Sequence, residues 1–203
     1  MLHIDKKAID EMESRYRGNF FNTISGFKSA NLIGTIDKNK QTNLAIFNSV
    51  VHIGANPPYL GFILRPTTVE RHTYSNIKGT GFYTINHVQE DFIEKAHQTS
   101  AKYEKAESEF HRCGFQEEYL HSFIPPYVKQ SNIKLGLKFE EEHPIKVNGT
   151  ILVIGSIQHA YLDEKYIQND GSVDISLAQT VAVSGLYQYL KTEKLDKFKY
   201  AKP

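Results

Sequence analysis

Apolar and polar positions along the chain fall into two periods, and the period of two dominates. ANLIGTID at 30–37 and QTNLAIFNSVVHIG at 41–54 are rich in β-branched and aliphatic residues and are separated only by Lys38, Asn39 and Lys40. That spacing predicts a hairpin. Asn56-Pro57-Pro58 stops any helix, and YLGFILR at 59–65 reads as a further buried strand. GFYTINHV at 81–88, SNIKLGLKFEEE at 131–142 and TILVIGSIQHAYLD at 150–163 are also strand-like, with the turn signal Asn148-Gly149 between the last two. SLAQTVAVSGLYQYLK at 176–191 reads as a strand that breaks at Gly185.

Helical spacing is confined to three places. Leu2, Ile4, Ala8, Ile9 and Met12 fall near one face of a helix over 2–16. Thr67 and Glu70 have capping-box spacing directly after Pro66, which predicts a helix over 68–78 ended by Gly79 and Gly81. Residues 89–119, acidic, lysine-rich and poor in β-branched types, suit two short helices. At least six strands with few, separated helices predict a mainly β fold, an antiparallel barrel carrying helical insertions. No repeat or linker-like tract interrupts the series, so residues 1–203 are expected to form a single domain.

Composition adds little to this picture but removes several function classes. Apolar residues are 40% and charged residues 23% of the chain, enough for a core. A formal net charge of +1 gives no broad field for a polyanion, so nucleic acid is not an expected partner, although a local pocket for one phosphate remains open. Cys113 is the only cysteine, which excludes an intrachain disulfide and a multi-cysteine metal site. With no signal-like N-terminus and no apolar run of membrane-spanning length, a cytoplasmic protein without membrane attachment is expected.

The nine histidines include no HxxxH or HExxH pair, so no metal site is expected. GTGFYT lacks the last glycine of a dinucleotide fingerprint and leads into a strand, and neither a GxSxG elbow nor a Walker motif is present. An enzyme built this way would take its hard chemistry from a cofactor.

The run from Asn31 to Val88 resembles the flavin reductase-like family of FMN-binding split β-barrels, an antiparallel Greek-key type of barrel. The resemblance rests on TNLAIFNSV at 42–50, GANPPYLGFILRP at 54–66, RHTYSNI at 71–77 and GFYTINHV at 81–88. It continues through SEFHRCGF at 108–115, ILVIGSI at 151–157, VSGLYQY at 183–189 and KFKYAKP at 197–203. It implies that the isoalloxazine of FMN lies along TNLAIFNSV, with Asn43, Leu44 and Ala45 at its polar edge and Phe47, Asn48 and Ser49 along the ribityl and phosphate side. A phosphate wants a cation, hydroxyls and helix N–H donors. RPTTVERHT supplies them as Arg65, the first choice for an ion pair, then Thr67, Thr68, Arg71 and Thr73. FNSV departs from the commoner family wording, placing Asn48 where a hydroxyl is usual.

The resemblance further implies a flavin reductase that moves hydride from NADH or NADPH onto the flavin, with no side chain acting as a catalytic nucleophile. A flavoprotein oxidase or oxygenase on the same barrel and a non-catalytic FMN carrier are the alternatives. A homodimer is implied too, its site completed from the neighbouring chain by segment 89–119 or by the tail. Each residue also has an ordinary role: Asn43 and Asn48 as turn or edge residues, Thr67 as a cap, Arg65 and Arg71 as solvated charges, His72 and His87 as satisfied histidines. Tyr187 and Tyr189 alternate, so at most one should face a pocket.

Overall fold

Capping residues decide where the N-terminal segment becomes helical in the computed structural model, which describes residues 1–202. The helix expected over 2–16 is two, α1 (Lys6–Glu11) and α2 (Ser14–Ile24). The Asp5 carboxylate accepts from the Ala8 N–H, and the Glu13 carboxylate accepts from the N–H groups of Arg15 and Tyr16, so each helix has its own start. None of the described residues belongs to a helix long and apolar enough to cross a membrane.

The strands follow as β1 (Lys28–Ser29), β2 (Asn31–Ile36), β3 (Thr42–Phe47), β4 (Val50–Ala55) and β5 (Pro58–Leu64). The β2–β3 hairpin forms as expected, its turn held by the Asp37 carboxylate accepting from the N–H groups of Asn39 and Gln41. After it, the run 41–54 divides at Asn48-Ser49 into two strands with different partners. Then come α3 (His72–Thr80), β6 (Phe82–His87), a 3₁₀ turn at Glu90–Phe92, α4 (Ile93–Gln98) and α5 (Glu109–Arg112). The chain ends with β7 (Glu117–Glu118), β8 (Tyr127–Val128), the long β9 (Ile133–Ile145) and β10 (Thr150–Leu162), then β11 (Ala182–Ser184) and β12 (Gln188–Leu190). The last two are parted at Gly185, whose φ of 62° suits glycine.

The capping box at Thr67 does not form, which corrects the expected helix start at 68. Thr67 and Thr68 lie in a turn, and α3 begins at His72 with Arg71 as N-cap. The Glu70 carboxylate, which would have reached back to Thr67, instead accepts from Lys105 Nζ at 2.9 Å. At the other end the expectation holds for Gly81, which adopts φ 78° and whose N–H donates to the Ile77 carbonyl at 2.8 Å, but not for Gly79, which lies inside the helix.

Seven strands form one antiparallel sheet in the order β3-β2-β6-β9-β10-β5-β4. Its two edge strands, β3 and β4, are consecutive in the chain with only Asn48 and Ser49 between them, so the sheet must curl until its edges meet at that corner. The fold is a split β-barrel. Ile33, Phe62, Leu64, Tyr83, Ile85, Leu137 and Val153 fill the interior together with Ile77 of α3. Gly155 is required there, because a Cβ would lie 2.3 Å from the Tyr83 hydroxyl.

A second core lies on the outer face of β2 and β3. Leu32 and Leu44 pack there with Phe92, Ala96, Phe110 and Val128 from the helical insertion and β8. Both faces of β2 are thereby covered, which is why NLIGTI is buried at every position and reads as a continuous run.

Candidate functional site

The outer edge of β3 is where the chain was expected to meet a heterocycle. In the β2–β3 register Leu44 stands opposite Gly34, and its N–H points away from β2, donating to Glu109 Oε2 at 2.9 Å. Antiparallel pairs alternate between bonded and non-bonded. Asn43, Ala45 and Phe47 therefore direct their N–H groups into the ladder, and the next outward donor is Ile46. Of the three donors expected at this edge, Leu44 is held by Glu109, and Asn43 and Ala45 face β2. Strand neighbourhood did not select Ile46; the register marks it as an outward donor.

Glu109 is buried, and burial raises its carboxyl above the usual range against the opposing pull of the Leu44 N–H. Beside it Thr42 Oγ1 donates to Glu117 Oε1 at 2.6 Å and lies 2.7 Å from Ser108 Oγ. The Phe110 ring, fully buried, fixes α5 beneath this polar row.

At the other end of β3 the expected ligand side chains are used within the chain. The Phe47 ring, partly buried, packs edge-on against Phe62 at the margin of the barrel core, 5.1 Å between centroids. Asn48 Nδ2 donates to the Gly185 carbonyl at 2.8 Å. Ser49 Oγ donates to the Ile63 carbonyl at 3.0 Å and accepts from the Ile63 N–H at 3.2 Å, so a side chain stands in the ladder where backbone would. Asn48 thus pins the loop before Tyr187 and Tyr189. Tyr187 is exposed, while Tyr189 turns inward against the second core and its hydroxyl meets His97 Nδ1 at 3.0 Å.

The start of α3 is different, because it carries no side-chain cap. Ser75 is the first residue whose N–H closes a helical turn, onto the Arg71 carbonyl at 2.9 Å, so the amides of the first turn before it have no helical acceptor. Arg71 Nε donates to the Pro66 carbonyl at 3.2 Å, which orients its guanidinium, and Arg65, Thr67 and Thr68 are exposed in the approach to the helix. Two cations, two hydroxyls and open helical N–H groups form a donor set that fits a phosphate.

Two contacts join this end of the site to β3 and to the corner that follows it. Asn43 Nδ2 donates to Thr73 Oγ1 at 3.1 Å, both residues buried, and Ser49 bonds Ile63, two residues before Arg65. His72 borders a small hollow with Asp37, Asn43, Asn76 and Lys105. His87 is a satisfied core histidine, its Nδ1 3.2 Å from Thr180 Oγ1 and its imidazole pushed down to about 4 by burial.

Residues 25–175 match the family model of the flavin reductase like domain. No curated protein matches the sequence. Among solved structures, a protein from Shewanella frigidimarina NCIMB 400, provisionally named a flavin reductase with split barrel domain, is 49% identical and superposes with a TM-score of 0.96 over 99% of this chain and 100% of its own. That coverage takes in the C-terminal tail. Nitrilotriacetate monooxygenase component B from Bacillus cereus shares the fold at 17% identity and TM-score 0.85, over 98% of each chain. Flavoredoxin of Desulfovibrio vulgaris (Miyazaki F) does so at 22% identity and TM-score 0.73, over 86% of this chain and 92% of its own. With three quarters of its length matched to the family model and a half-identical relative along its whole course, the chain belongs to the flavin reductase-like family.

Proposed function

We propose that this chain is a cytoplasmic, homodimeric flavin reductase that binds FMN and accepts hydride from NADH or NADPH. The observation that carries the reading is the uncapped start of α3, flanked by Arg65 and Arg71 and tied to β3 through Asn43 and Thr73. Arg71, oriented by the Pro66 carbonyl, would fork onto phosphate oxygens with Arg65 opposite, while Thr67, Thr68 and the first α3 amides complete the cradle. Ile46 would present its outward N–H to the pyrimidine edge of the ring, where negative charge gathers on reduction. Glu109 acts one step away, holding β3 in register from its outer side. Bound FMN would supply the redox chemistry, taking hydride from the nicotinamide and passing electrons onward. No side chain is needed as nucleophile, and Cys113, buried and free, stays outside the scheme.

The dimer reading is supported by the outer face of β4, β5 and β10. Val51, Ile53, Ile63 and Leu152 surround Gly61 there, and Val51 and Ile53 remain more than two-fifths exposed.

Flavin titration followed by fluorescence quenching tests the site. Arg71→Ala and Arg65→Ala should each weaken FMN at least tenfold, about 1.4 kcal/mol, and leave riboflavin, which has no phosphate, unchanged. Failure of the unaltered protein to bind either flavin would remove the reading. Anaerobic bleaching of bound flavin by NADH or NADPH supports a reductase, whereas bleaching by dithionite alone makes the protein a carrier.

A further inference from the structure

β11 and β12 form a hairpin whose tip, Gly185-Leu186-Tyr187, is braced from three sides. Asn48 at the β3–β4 corner donates to the Gly185 carbonyl at 2.8 Å. A Cβ on Gly185 would lie 2.9 Å from Thr23 Cγ2 of α2, so the tip is wedged between that corner and the helix. His97 of α4 supplies the third side. Its ring meets those of Tyr187 and Tyr189 edge-on, with centroids 6.0 and 5.8 Å away, and its Nδ1 lies 3.0 Å from the Tyr189 hydroxyl. Burial raises Tyr189 above the usual phenol range, so the hydroxyl keeps its proton and can donate to that nitrogen.

This bracing does nothing for the core, because Tyr187 itself remains 64% exposed. An ordinary surface tyrosine keeps its rotamer freedom, whereas this one is held against an imidazole that is in turn bonded to Tyr189. The same scaffold brings Tyr187 to the second half of β3. Tyr187 is two residues from Gly185 and Ile46 two residues from Asn48, and the Asn48–Gly185 bond joins the two segments. Tyr189 and Ile46 also border one core, and α4 packs on the strand. The outward N–H of Ile46 has no acceptor among the described residues. A backbone donor on a strand edge and an aromatic face on the adjoining tip are the two contacts that a planar heteroaromatic ring calls for, one at its polar edge and one on its π surface.

We propose that Tyr187 is the stacking residue for the isoalloxazine, lying on one face of the ring while the Ile46 N–H meets its polar edge, and that His97 is the positioning residue that braces Tyr187. This rests on the flavin reading above and deepens it. Stacking on one face leaves the other open to the hydride donor.

Riboflavin, which lacks the phosphate, reads the ring end alone. Equilibrium dialysis gives its Kd, and the emission of the bound flavin reports the contact, since a phenol stacked on an isoalloxazine quenches it. The unaltered chain should hold riboflavin with quenched emission. Tyr187→Phe keeps an aromatic face and should hold the Kd within about twofold while emission brightens. Tyr187→Leu should raise the Kd at least about fivefold and brighten emission as well. His97→Ala should weaken riboflavin in the unaltered chain and add nothing in the Tyr187→Leu background. Unchanged Kd and emission in Tyr187→Leu overturn the stacking contact and leave the flavin reading standing, and so does a loss confined to FMN, which would put Tyr187 at the phosphate end. A His97→Ala effect that adds in full to that of Tyr187→Leu overturns the positioning role. An unaltered chain that binds neither riboflavin nor FMN overturns the flavin reading and this inference together.

Discussion

β3 and β4 are neighbours in the chain, two residues apart, and both are edges of the same sheet, yet they are finished in opposite ways. The first half of β3 is buried, its outward N–H at Leu44 taken by the Glu109 carboxylate and its outer face roofed by Phe110, Phe92 and Ala96. β4 has no such cover, and Val51, His52 and Ile53 are all exposed. An edge strand offers a row of unpaired backbone groups and has to be covered, bent or charged. Here the chain commits α4 and α5 of its insertion between β6 and β9 to one edge and leaves the other to a bulge at His52–Gly54 and to whatever docks there. The covered edge adjoins the candidate ligand site and gains rigidity; the open edge keeps an apolar face available to another molecule.

The largest effect should come from lifting the roof off β3. Phe110 is fully buried beneath α5, and Phe110→Ala removes the ring that presses the insertion onto Leu32 and Leu44. Urea denaturation should find a loss of about 3–5 kcal/mol, and hydrogen exchange should show the Leu44 amide released before the barrel interior opens. A loss under about 1 kcal/mol would mean that α5 merely rests on the sheet, and the contrast between the two edges would lose its basis.

Much of this was legible beforehand, for local reasons. The β2–β3 hairpin, the Asn148-Gly149 turn and the stop at Gly81 depend on residues a few positions apart, and all three stand where the sequence placed them. What could not be read depends on distant partners. Asn48-Ser49 is a turn-prone pair set between two strand-like runs, but which strand each run joins is decided at a distance, where Ser49 substitutes for backbone against Ile63 on β5. α3 starts late, with Glu70 paired to Lys105, 35 positions away, and not to Thr67, and the Leu44 N–H is taken by Glu109, 65 positions away. The contact of the partly buried Phe47 ring with Phe62 likewise depends on a strand 15 positions away.

Glu109 gives the intermediate effect. Glu109→Ala should leave the Leu44 N–H buried without an acceptor and cost about 1–3 kcal/mol, whereas Glu109→Gln keeps an acceptor oxygen and should cost less. The pH dependence sharpens this. Burial raises the carboxyl above its ordinary 4.5, so the folded state binds the proton more tightly than the unfolded state, and the unaltered protein should lose stability as pH rises from 4.5 through the raised value. The Gln variant should lack that slope in denaturation curves measured across the same window. Equal slopes would show that Glu109 is not the group that titrates.

The smallest effect on the fold is expected at β4, and that is what makes it informative. Val51 and Ile53 are 44% and 42% exposed, and a lysine at either position can lay its aliphatic stem over Gly61 while its ammonium stays in water. Val51→Lys with Ile53→Lys should therefore shift monomer stability by no more than about 0.5 kcal/mol for each site, a value to be read by urea denaturation at protein concentrations low enough to exclude association. If the pair instead cost as much as Phe110→Ala, β4 would have to be a covered strand of the monomer. The open face that separates it from β3 would then not exist, and the argument for a second copy at that face would go with it.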